Sequence, residues 1–372
     1  MKYIKGLDVL RAVAVFFVII THWGPHTFKS EILTFIFQKI IPDGNFGVDL
    51  FFVLSGYLIT RILLKAREEQ SEEYRFRTIR AFYIRRALRI FPIYYLLIFV
   101  VCLLGAQNVI SNLDYYLTYT SNFLVFKTNS WDSITHTWSL AVEEQFYLIW
   151  PWFIIFLPRK HLLTFILTAL IFGILSTLTF DYFLGDFFYI LLPPCITAFS
   201  IGALLAYSEF YPASRKVIVP AFKLLFPIIV LFFFINQFGY KLSLIRAVNS
   251  ILAINLIMYV VNENYNKFTK MIFTNKLLIN TGKISYGIYL YHFIVPSYWN
   301  QFVDYLNRYF LFTPETLKFL KYPPPAYLIE LALVFIISYS SYYYLELRFI
   351  RLKNRFGYVT ADHKNLSKEC VT

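Results

Sequence analysis

The chain has 372 residues, of which 58% are apolar and only 15% charged, and its mean hydropathy is +0.56. Apolar stretches of about 20 residues recur along its whole length, which is typical of membrane helices and excludes a soluble globular enzyme. The net charge of +13 has two possible explanations. The protein could bind an anionic partner such as nucleic acid, or its basic residues could be concentrated in cytoplasmic loops, where they set the membrane topology.

Taken in chain order, the apolar stretches predict about ten membrane-spanning helices. They lie at 7–26, 46–64, 90–107, 138–157, 162–180, 187–208, 217–236, 244–262, 284–301 and 326–345. The first contains charged residues and lacks a small-residue cleavage site, so we expect it to remain in the mature chain. The sequence therefore predicts an all-α, polytopic protein with a transmembrane domain over 1–345 and a basic tail over 346–372.

The distribution of basic residues explains most of the net charge. Most of the 35 lysines and arginines fall at the amino-terminal end, in the loops after the second, fourth, sixth and eighth spans, and in the tail. The positive-inside rule then places both termini in the cytoplasm. The expected partner is the lipid bilayer, and no nucleic-acid partner is predicted.

Two connecting stretches look irregular. Residues 65–81 are rich in charge and are expected to form a cytoplasmic amphipathic or helical connector, whereas 108–137 is too short to span and is expected at the outer interface or as a re-entrant segment. The cysteines have no paired spacing, and no phosphate-binding loop or metal-binding pattern occurs. We therefore expect neither a disulfide framework nor a metal site.

The first span carries two ionisable residues, Arg11 and His22. Eleven residues correspond to about three turns of helix, so both side chains share one face and lie about 16 Å apart along the axis. Ionisable groups cost roughly 2.5–3.5 kcal/mol in hydrocarbon and usually mark function. Asp8, three residues before Arg11, is expected to hold it by an ion pair.

The predicted topology gives each polar side chain a depth and produces two clusters. The inner cluster is cationic and contains Arg11, Arg86 and Arg89; the outer cluster contains His22, Asp49 and either Glu143 or Glu144. Successive residues differ by about 100° around a helix, so only one of the two glutamates is expected to face the bundle.

These residue types suit a reaction supplied from both sides of the membrane. Arginine binds phosphates through a planar fork that stays charged. Histidine suits proton transfer because its reference pKa is about 6.5, and Glu143 is a candidate to orient or charge-balance the His22 imidazole. The separation of about 16 Å between Arg11 and His22 is comparable to the reach of an extended pantetheine arm.

Five motifs occur in order along nearly the whole chain. They are GLDVLRAVA followed by His22, GVDLFFVLSGYLI (47–59), FYIRRALRIFPIYY (82–95), HTWSLAVEEQFYLIWP (136–151) and ISYGIYLYHFIV (284–295). In these motifs the chain resembles the membrane acyltransferase-3 family, whose members are ten-helix proteins of the bacterial cytoplasmic (inner) membrane. Many of them use cytoplasmic acetyl-CoA or another acyl-CoA to modify sugar hydroxyls on the outer side.

The resemblance implies roles for particular residues. His22 would be the essential histidine, Arg11 with Arg86 and Arg89 would engage the donor, and Glu143 would be the glutamate of the SLxxExxFY motif. It implies no bound cofactor; acyl-CoA, with acetyl-CoA as the expected form, would be a co-substrate. The acceptor would be a carbohydrate or a lipid-linked glycan.

Four further residues are expected to support the pocket: Asp8, Asp49, Ser55 and His292. Helix packing is the alternative role for each of the last three. The chain also departs from the family: Arg348 stands where many relatives have proline, and the basic tail after residue 345 leads us to expect no fused extracytoplasmic hydrolase-like domain. It is therefore expected to deliver the acyl group itself or to hand it to a separate extracytoplasmic transferase.

Other functions fit the same residues. His22 can act as a general base or carry the acyl group transiently. A proton-coupled exporter of a polysaccharide or lipid intermediate would also place Arg11 and His22 inside a membrane bundle. A structural subunit of a glycan-synthesis complex is the third alternative.

Overall fold

The computed structural model describes residues 3–23, 30–69, 72–131, 134–322 and 325–357. Helices and the turns between them make up these ranges, and no β-strand occurs within them. The predicted all-α class is therefore confirmed.

The α-helices follow one another along the chain with short connections. They are α1 (Lys5–Trp23), α2 (Glu31–Phe35), α3 (Gly44–Glu69), α4 (Arg75–Leu103), α5 (Gln107–Ser111), α6 (Leu113–Leu117), α7 (Ser121–Thr128), α8 (Trp138–Phe156), α9 (Arg159–Phe183), α10 (Leu192–Phe210), α11 (Pro212–Gln237), α12 (Ile245–Val261), α13 (Lys267–Phe273), α14 (Lys276–Lys283), α15 (Ser285–Tyr291), α16 (Ile294–Phe310), α17 (Pro314–Lys321), α18 (Pro325–Ser340) and α19 (Leu347–Leu352). Two π-helical segments, Ile36–Ile40 and Ser341–Glu346, lead into α3 and join α18 to α19.

Each predicted span coincides with helix. Six helical stretches of the described chain are long and apolar enough to cross a membrane, namely Lys5–Trp23, Ile36–Glu69, Glu72–Leu103, Arg159–Phe183, Pro212–Gln237 and Pro325–Leu352. Helices α8 and α10, with 19 residues each, and α12, with 17, occupy three further predicted spans, and the ninth is divided into α15 and α16. The protein is a polytopic membrane protein; the count of ten and the orientation stay predictions.

The two connecting stretches agree with expectation in their main features. Most of 65–81 is helical, one of the two expected forms: α3 continues through Glu69 and α4 already begins at Arg75, so this stretch extends the two long helices. The stretch 108–137 contains only short helices, α5 to α7, as expected for a segment too short to span. The last span runs beyond residue 345 to Leu352, and 358–372 of the predicted tail lie outside the described residues.

Helix α3 lies at the centre of the bundle and packs against α1, α8, α10 and α12. Its closest crossing is with α10, where a Cβ added at Gly56 would lie 2.1 Å from the Phe199 carbonyl oxygen. A Cβ added at Gly202 on α10 would lie equally close, 2.1 Å, to the Val53 carbonyl oxygen. Glycine is therefore required on both helices, because any larger residue would push the two backbones apart.

A second close contact shapes the amino-terminal end of α1. A Cβ at Gly282 of α14 would lie 1.8 Å from the Asp8 carbonyl oxygen, so the backbones of α14 and α1 touch there. Helix α15 follows α14 directly and also packs on α1. This packing brings the start of α15 beside Asp8 and the Arg11 turn.

Candidate active site

A cavity of about 400 Å³ opens between α1, α3, α4, α8 and α15. Charged side chains from all parts of the chain line it: the cations Arg11, Arg61, Arg86, Arg89 and Lys353, and the carboxylates Asp8, Glu143 and Glu144. The three arginines that the sequence assigned to the inner cluster are thus brought to one cavity.

Two of the five cations are neutralised by carboxylates. Arg11 Nη1 lies 2.7 Å from Asp8 Oδ1, which is the ion pair predicted from their spacing, and the Tyr3 hydroxyl also donates to Asp8. Arg61 Nε lies 2.6 Å from Glu209 Oε2. These charges are therefore largely committed within the protein.

Arg86 and Arg89 lie one turn apart on α4 and face the cavity together. Arg86 lies over the Tyr147 ring, with 5.0 Å between its guanidinium carbon and the ring centroid. Among the described residues, neither arginine has a carboxylate oxygen within 4.0 Å of its nitrogens. Their charge is available for an anionic ligand, for which the guanidinium fork is well suited.

Lys353 is a cation of this cavity that the sequence interpretation missed, because it was counted as part of the tail. It directly follows α19, and Arg85 Nη1 donates to its carbonyl oxygen at 3.0 Å and to that of Phe356 at 3.1 Å. Burial and the nearby arginine charges, that of Arg89 first, lower the pKa of Lys353 to about 8. Burial of the ammonium group is the larger cause, and the positive charge of the neighbouring arginines adds to it.

Glu143 lies in the same cavity and is held by hydrogen bonds. The Ser55 hydroxyl donates to its Oε1 at 3.2 Å, and the Tyr147 hydroxyl lies 2.8 Å from its Oε2 and 2.9 Å from Ser55 Oγ. Glu144 lines the cavity as well, so the expectation that only one glutamate faces the bundle is wrong. Glu144 Oε1 is buried without a hydrogen-bond partner in the described part of the chain.

The predicted outer cluster, which contained His22, Asp49 and one of the two glutamates, is divided in the structure. Glu143 lies with the arginines instead of with His22, and the structure does not bring the two together. Asp49 lies apart from the cavity lining, where its Oδ1 pairs with Arg246 Nε at 2.8 Å and its Oδ2 accepts from Asn249 at 2.9 Å. This buried ion pair between α3 and α12 favours the packing alternative for Asp49.

Three histidines meet at the far end of α1. His22 Nδ1 lies 3.0 Å from His292 Nε2, and the rings of His292 and His136 lie 5.1 Å apart between centroids. His292 is completely buried, whereas His22 stays accessible. His136 was not singled out from the sequence, although it opens the HTWSLAVEEQFYLIWP motif.

Tyr289 separates the histidines from the cavity. Its side chain lines the cavity, and its hydroxyl lies 2.5 Å from Ser139 Oγ and donates to the His136 carbonyl oxygen at 2.9 Å. Neither His22 nor His292 lines the cavity itself. Tyr289 and His292 thus connect the cationic cavity to the accessible imidazole: the rings of Tyr289 and His292 lie 5.5 Å apart between centroids, and His292 lies 3.0 Å from His22.

The described residues contain no group of three or more His, Cys, Asp or Glu side chains arranged to hold a metal ion. What the arrangement offers is anion binding by free arginines at one end and proton transfer by an imidazole at the other. The protein is thus a helical membrane bundle that contains a cationic cavity and, beside it, a cluster of histidines.

The comparison with known families is specific. A family model described as an acyltransferase domain, that of the acyltransferase-3 family, matches residues 4–345. The chain belongs to this family, as the resemblance of its motifs suggested.

Relatives have names that mention O-acetyl transfer. The chain is 28% identical over 380 residues to "Putative O-acetyltransferase SACOL0978" of Staphylococcus aureus, an alignment that covers 94% of this chain and 58% of that protein. Over 169 residues it is 38% identical to "Peptidoglycan O-acetyltransferase OatA" of Listeria monocytogenes, covering 41% of this chain and 24% of that protein. The chain thus spans little more than half the length of the first of these relatives. No solved structure matches it.

Proposed function

We propose that this protein is an integral membrane O-acyltransferase that moves an acyl group from cytoplasmic acyl-CoA to a hydroxyl of a carbohydrate or lipid-linked glycan. The expected acyl group is acetyl. The observation that carries the proposal is a cationic cavity whose lining residue Tyr289 contacts His292, which in turn lies 3.0 Å from the accessible His22 imidazole. Family membership and the names of the relatives support acyl transfer, acetyl as the group and a peptidoglycan-type glycan as acceptor.

The donor is assigned to the cavity because of its charge. Coenzyme A carries phosphates, and Arg86, Arg89 and Lys353 supply positive charge that no carboxylate in the described chain neutralises by direct contact. Arg11 contributes less because Asp8 already pairs with it. The unpartnered Glu144 Oε1 is suited to accept from an amide N–H of the pantetheine arm.

The acceptor is assigned to the His22 side. The His22 imidazole takes the proton of the acceptor hydroxyl as its oxygen attacks the thioester carbon, so that a C–O bond forms and the C–S bond breaks. The CoA sulfur leaves as a thiolate and takes the proton back from His22, which gives an ester, free CoA and a neutral imidazole. For the two substrates to meet, the thioester has to pass Tyr289.

Glu143 is proposed to act on the donor side. Its carboxylate lies in the cavity that contains Arg86, and its hydrogen bonds to Ser55 and Tyr147 fix its orientation. A carboxylate in that place limits the excess of positive charge near the thioester.

The membrane setting of the proposal comes from the charge distribution and the bacterial relatives. Both termini would lie in the cytoplasm of a bacterial cell, with the chain crossing the cytoplasmic membrane several times. The acyl group would pass to the glycan directly or through a separate extracytoplasmic transferase.

Turnover of acetyl-CoA tests the proposal. The full chain, purified into lipid nanodiscs, is incubated with acetyl-CoA, and thiol release is followed with and without muropeptides released from purified peptidoglycan. We expect muropeptides to stimulate release in the wild type and the His22→Ala variant to lose this stimulation. An equally active, normally inserted His22→Ala variant would refute the role of His22, and no release by the wild type would favour the exporter.

The donor site has a matched control on the same helix. Arg86→Gln and Arg89→Gln each remove one unpaired cation from the cavity, whereas Arg80→Gln removes an exposed cation of α4. We expect the KM for acetyl-CoA to rise about 10- to 100-fold in the first two, since a hydrogen bond to a charged group contributes about 1.5–3 kcal/mol. An unchanged KM in both would make these arginines topology anchors only.

A further inference from the structure

The histidine pair has a geometry that fixes where its protons lie. His292 Nδ1 lies 2.7 Å from the Tyr289 carbonyl oxygen, and His292 Nε2 lies 3.0 Å from His22 Nδ1. A carbonyl oxygen can only accept, so His292 Nδ1 must carry the hydrogen. In the neutral imidazole the other nitrogen is then an acceptor, and His22 Nδ1 must donate to it.

We propose that His292 is a positioning residue that holds His22 in the Nδ1–H tautomer, so that the His22 Nε2 lone pair is the reactive atom of the proposed acyl transfer. The tautomer follows from the hydrogen bonds alone, and only its catalytic role rests on the proposed function. This tautomer suits both roles considered for His22, general base and transient acyl carrier, because Nε2 would either take the acceptor proton or accept the acyl group.

The surroundings of His292 leave its ring little freedom. The side chain is fully buried, the Trp23 indole N–H donates to the His292 carbonyl oxygen at 3.0 Å, and the His292 amide donates to the Ile288 carbonyl oxygen at 3.0 Å. Reversing the tautomer would place a nitrogen lone pair against the Tyr289 carbonyl oxygen in a dry environment, which costs more than losing one hydrogen bond.

The arrangement performs the task of the acid in a catalytic triad without a buried charge. In a triad the third residue orients the imidazole and selects its tautomer. Here a neutral imidazole and a backbone carbonyl do so, which suits a membrane interior where an unpaired carboxylate is costly. When His22 becomes protonated at Nε2, its Nδ1–H can still donate to His292.

Histidine NMR tests the tautomer without requiring activity. The chain has six histidines, so a sample labelled with ¹⁵N-histidine gives few ring signals, and His22 is assigned by comparison with a His22→Asn variant. We expect the two-bond ¹⁵N–¹H pattern of the Nδ1–H tautomer for His22 in the wild type. An Nε2–H pattern there would overturn the inference, whether or not the protein turns over acetyl-CoA.

Variants separate positioning from packing. His292→Leu removes the acceptor, His292→Gln keeps a side-chain oxygen that can accept from His22, and His136→Leu removes a neighbouring imidazole that bonds to the Leu290 carbonyl instead of to His22. We expect His22 to lose its single tautomer in His292→Leu, to keep it in His136→Leu and to recover it in His292→Gln.

The kinetic expectation follows from the tautomer. A wrong tautomer costs up to about 10⁴-fold in kcat in a serine protease, and we expect His292→Leu to lower kcat at least about 10-fold with the KM for acetyl-CoA unchanged. His292→Gln should restore most of the loss. A His292→Leu variant that keeps both the wild-type tautomer and the wild-type kcat would overturn the inference; if this variant does not fold, the wild-type spectrum decides, because an Nε2–H pattern for His22 there contradicts the inference by itself.

Discussion

The buried pair of Asp49 and Arg246 offers a sharp test of the bundle. Their side chains are only 3% and 10% exposed, and the ion pair has a length of 2.8 Å. Asp49→Ala leaves the guanidinium with the Tyr189 carbonyl as its main oxygen partner, at 2.6 Å. Removing one member of a buried pair costs about 3–5 kcal/mol, because the other charge stays buried and unpaired.

Replacing both members is expected to cost much less. In Asp49→Leu combined with Arg246→Met, apolar groups of similar volume fill the space, a change that is often neutral or stabilising. Asn249, which donates to Asp49 Oδ2 at 2.9 Å, then loses its acceptor. We expect this unsatisfied amide to destabilise the double variant by about 1–3 kcal/mol.

Thermal unfolding of the detergent-purified protein, followed by fluorescence-detected size exclusion, checks this order of stabilities, with acetyl-CoA turnover measured in parallel. We expect Asp49→Ala to be much less stable than the wild type and the double variant to recover most of the difference. If Asp49→Ala is as stable as the wild type but inactive, the structural role is wrong and Asp49 belongs to the chemistry.

Three other changes probe the helix crossing, the cation cluster and the cavity carboxylate. Gly56→Ala places a Cβ 2.1 Å from the Phe199 carbonyl oxygen, so we expect little monodisperse protein in size exclusion. Lys353 loses its proton as pH rises through its pKa of about 8, so the KM for acetyl-CoA should increase above that pH. Tyr147→Phe removes the hydroxyl 2.8 Å from Glu143 Oε2, and a loss of about 1 kcal/mol should lower kcat about five-fold in turnover assays.

The first two of these changes have a control within the chain, and the third has an outcome that would contradict it. Gly287→Ala adds a Cβ 3.3 Å from the Ser338 Cβ, a tight contact that a shift of a few tenths of an ångström relieves, so it should disturb the elution peak much less than Gly56→Ala does. In Lys353→Arg the cation cannot be titrated, so its KM should stay flat over the same pH range; an identical rise would assign the pH effect elsewhere. A Tyr147→Phe variant with wild-type kcat would remove the proposed role of its hydroxyl.

Local spacing allowed part of the site to be predicted. Residues three apart on a helix face the same way, so the Asp8 and Arg11 ion pair followed from the sequence. The common depth of Arg11, Arg86 and Arg89 in the predicted topology likewise placed these arginines in one cluster. The assignment of Glu143 to the His22 side failed, because depth along a predicted span does not say which neighbouring helix a side chain faces. Only packing fixes that choice.

The class of protein could be predicted from the apolar stretches alone: they have to cross a membrane as helices, since the backbone must satisfy its hydrogen bonds within each segment. Five ordered motifs also determined the family. Only the tertiary structure decided which distant residues meet, such as His22 with His292, Asp49 with Arg246, and Lys353 with the arginines of α4. These contacts depend on how close the helices approach, which glycines such as Gly56 and Gly282 control through contacts far along the chain.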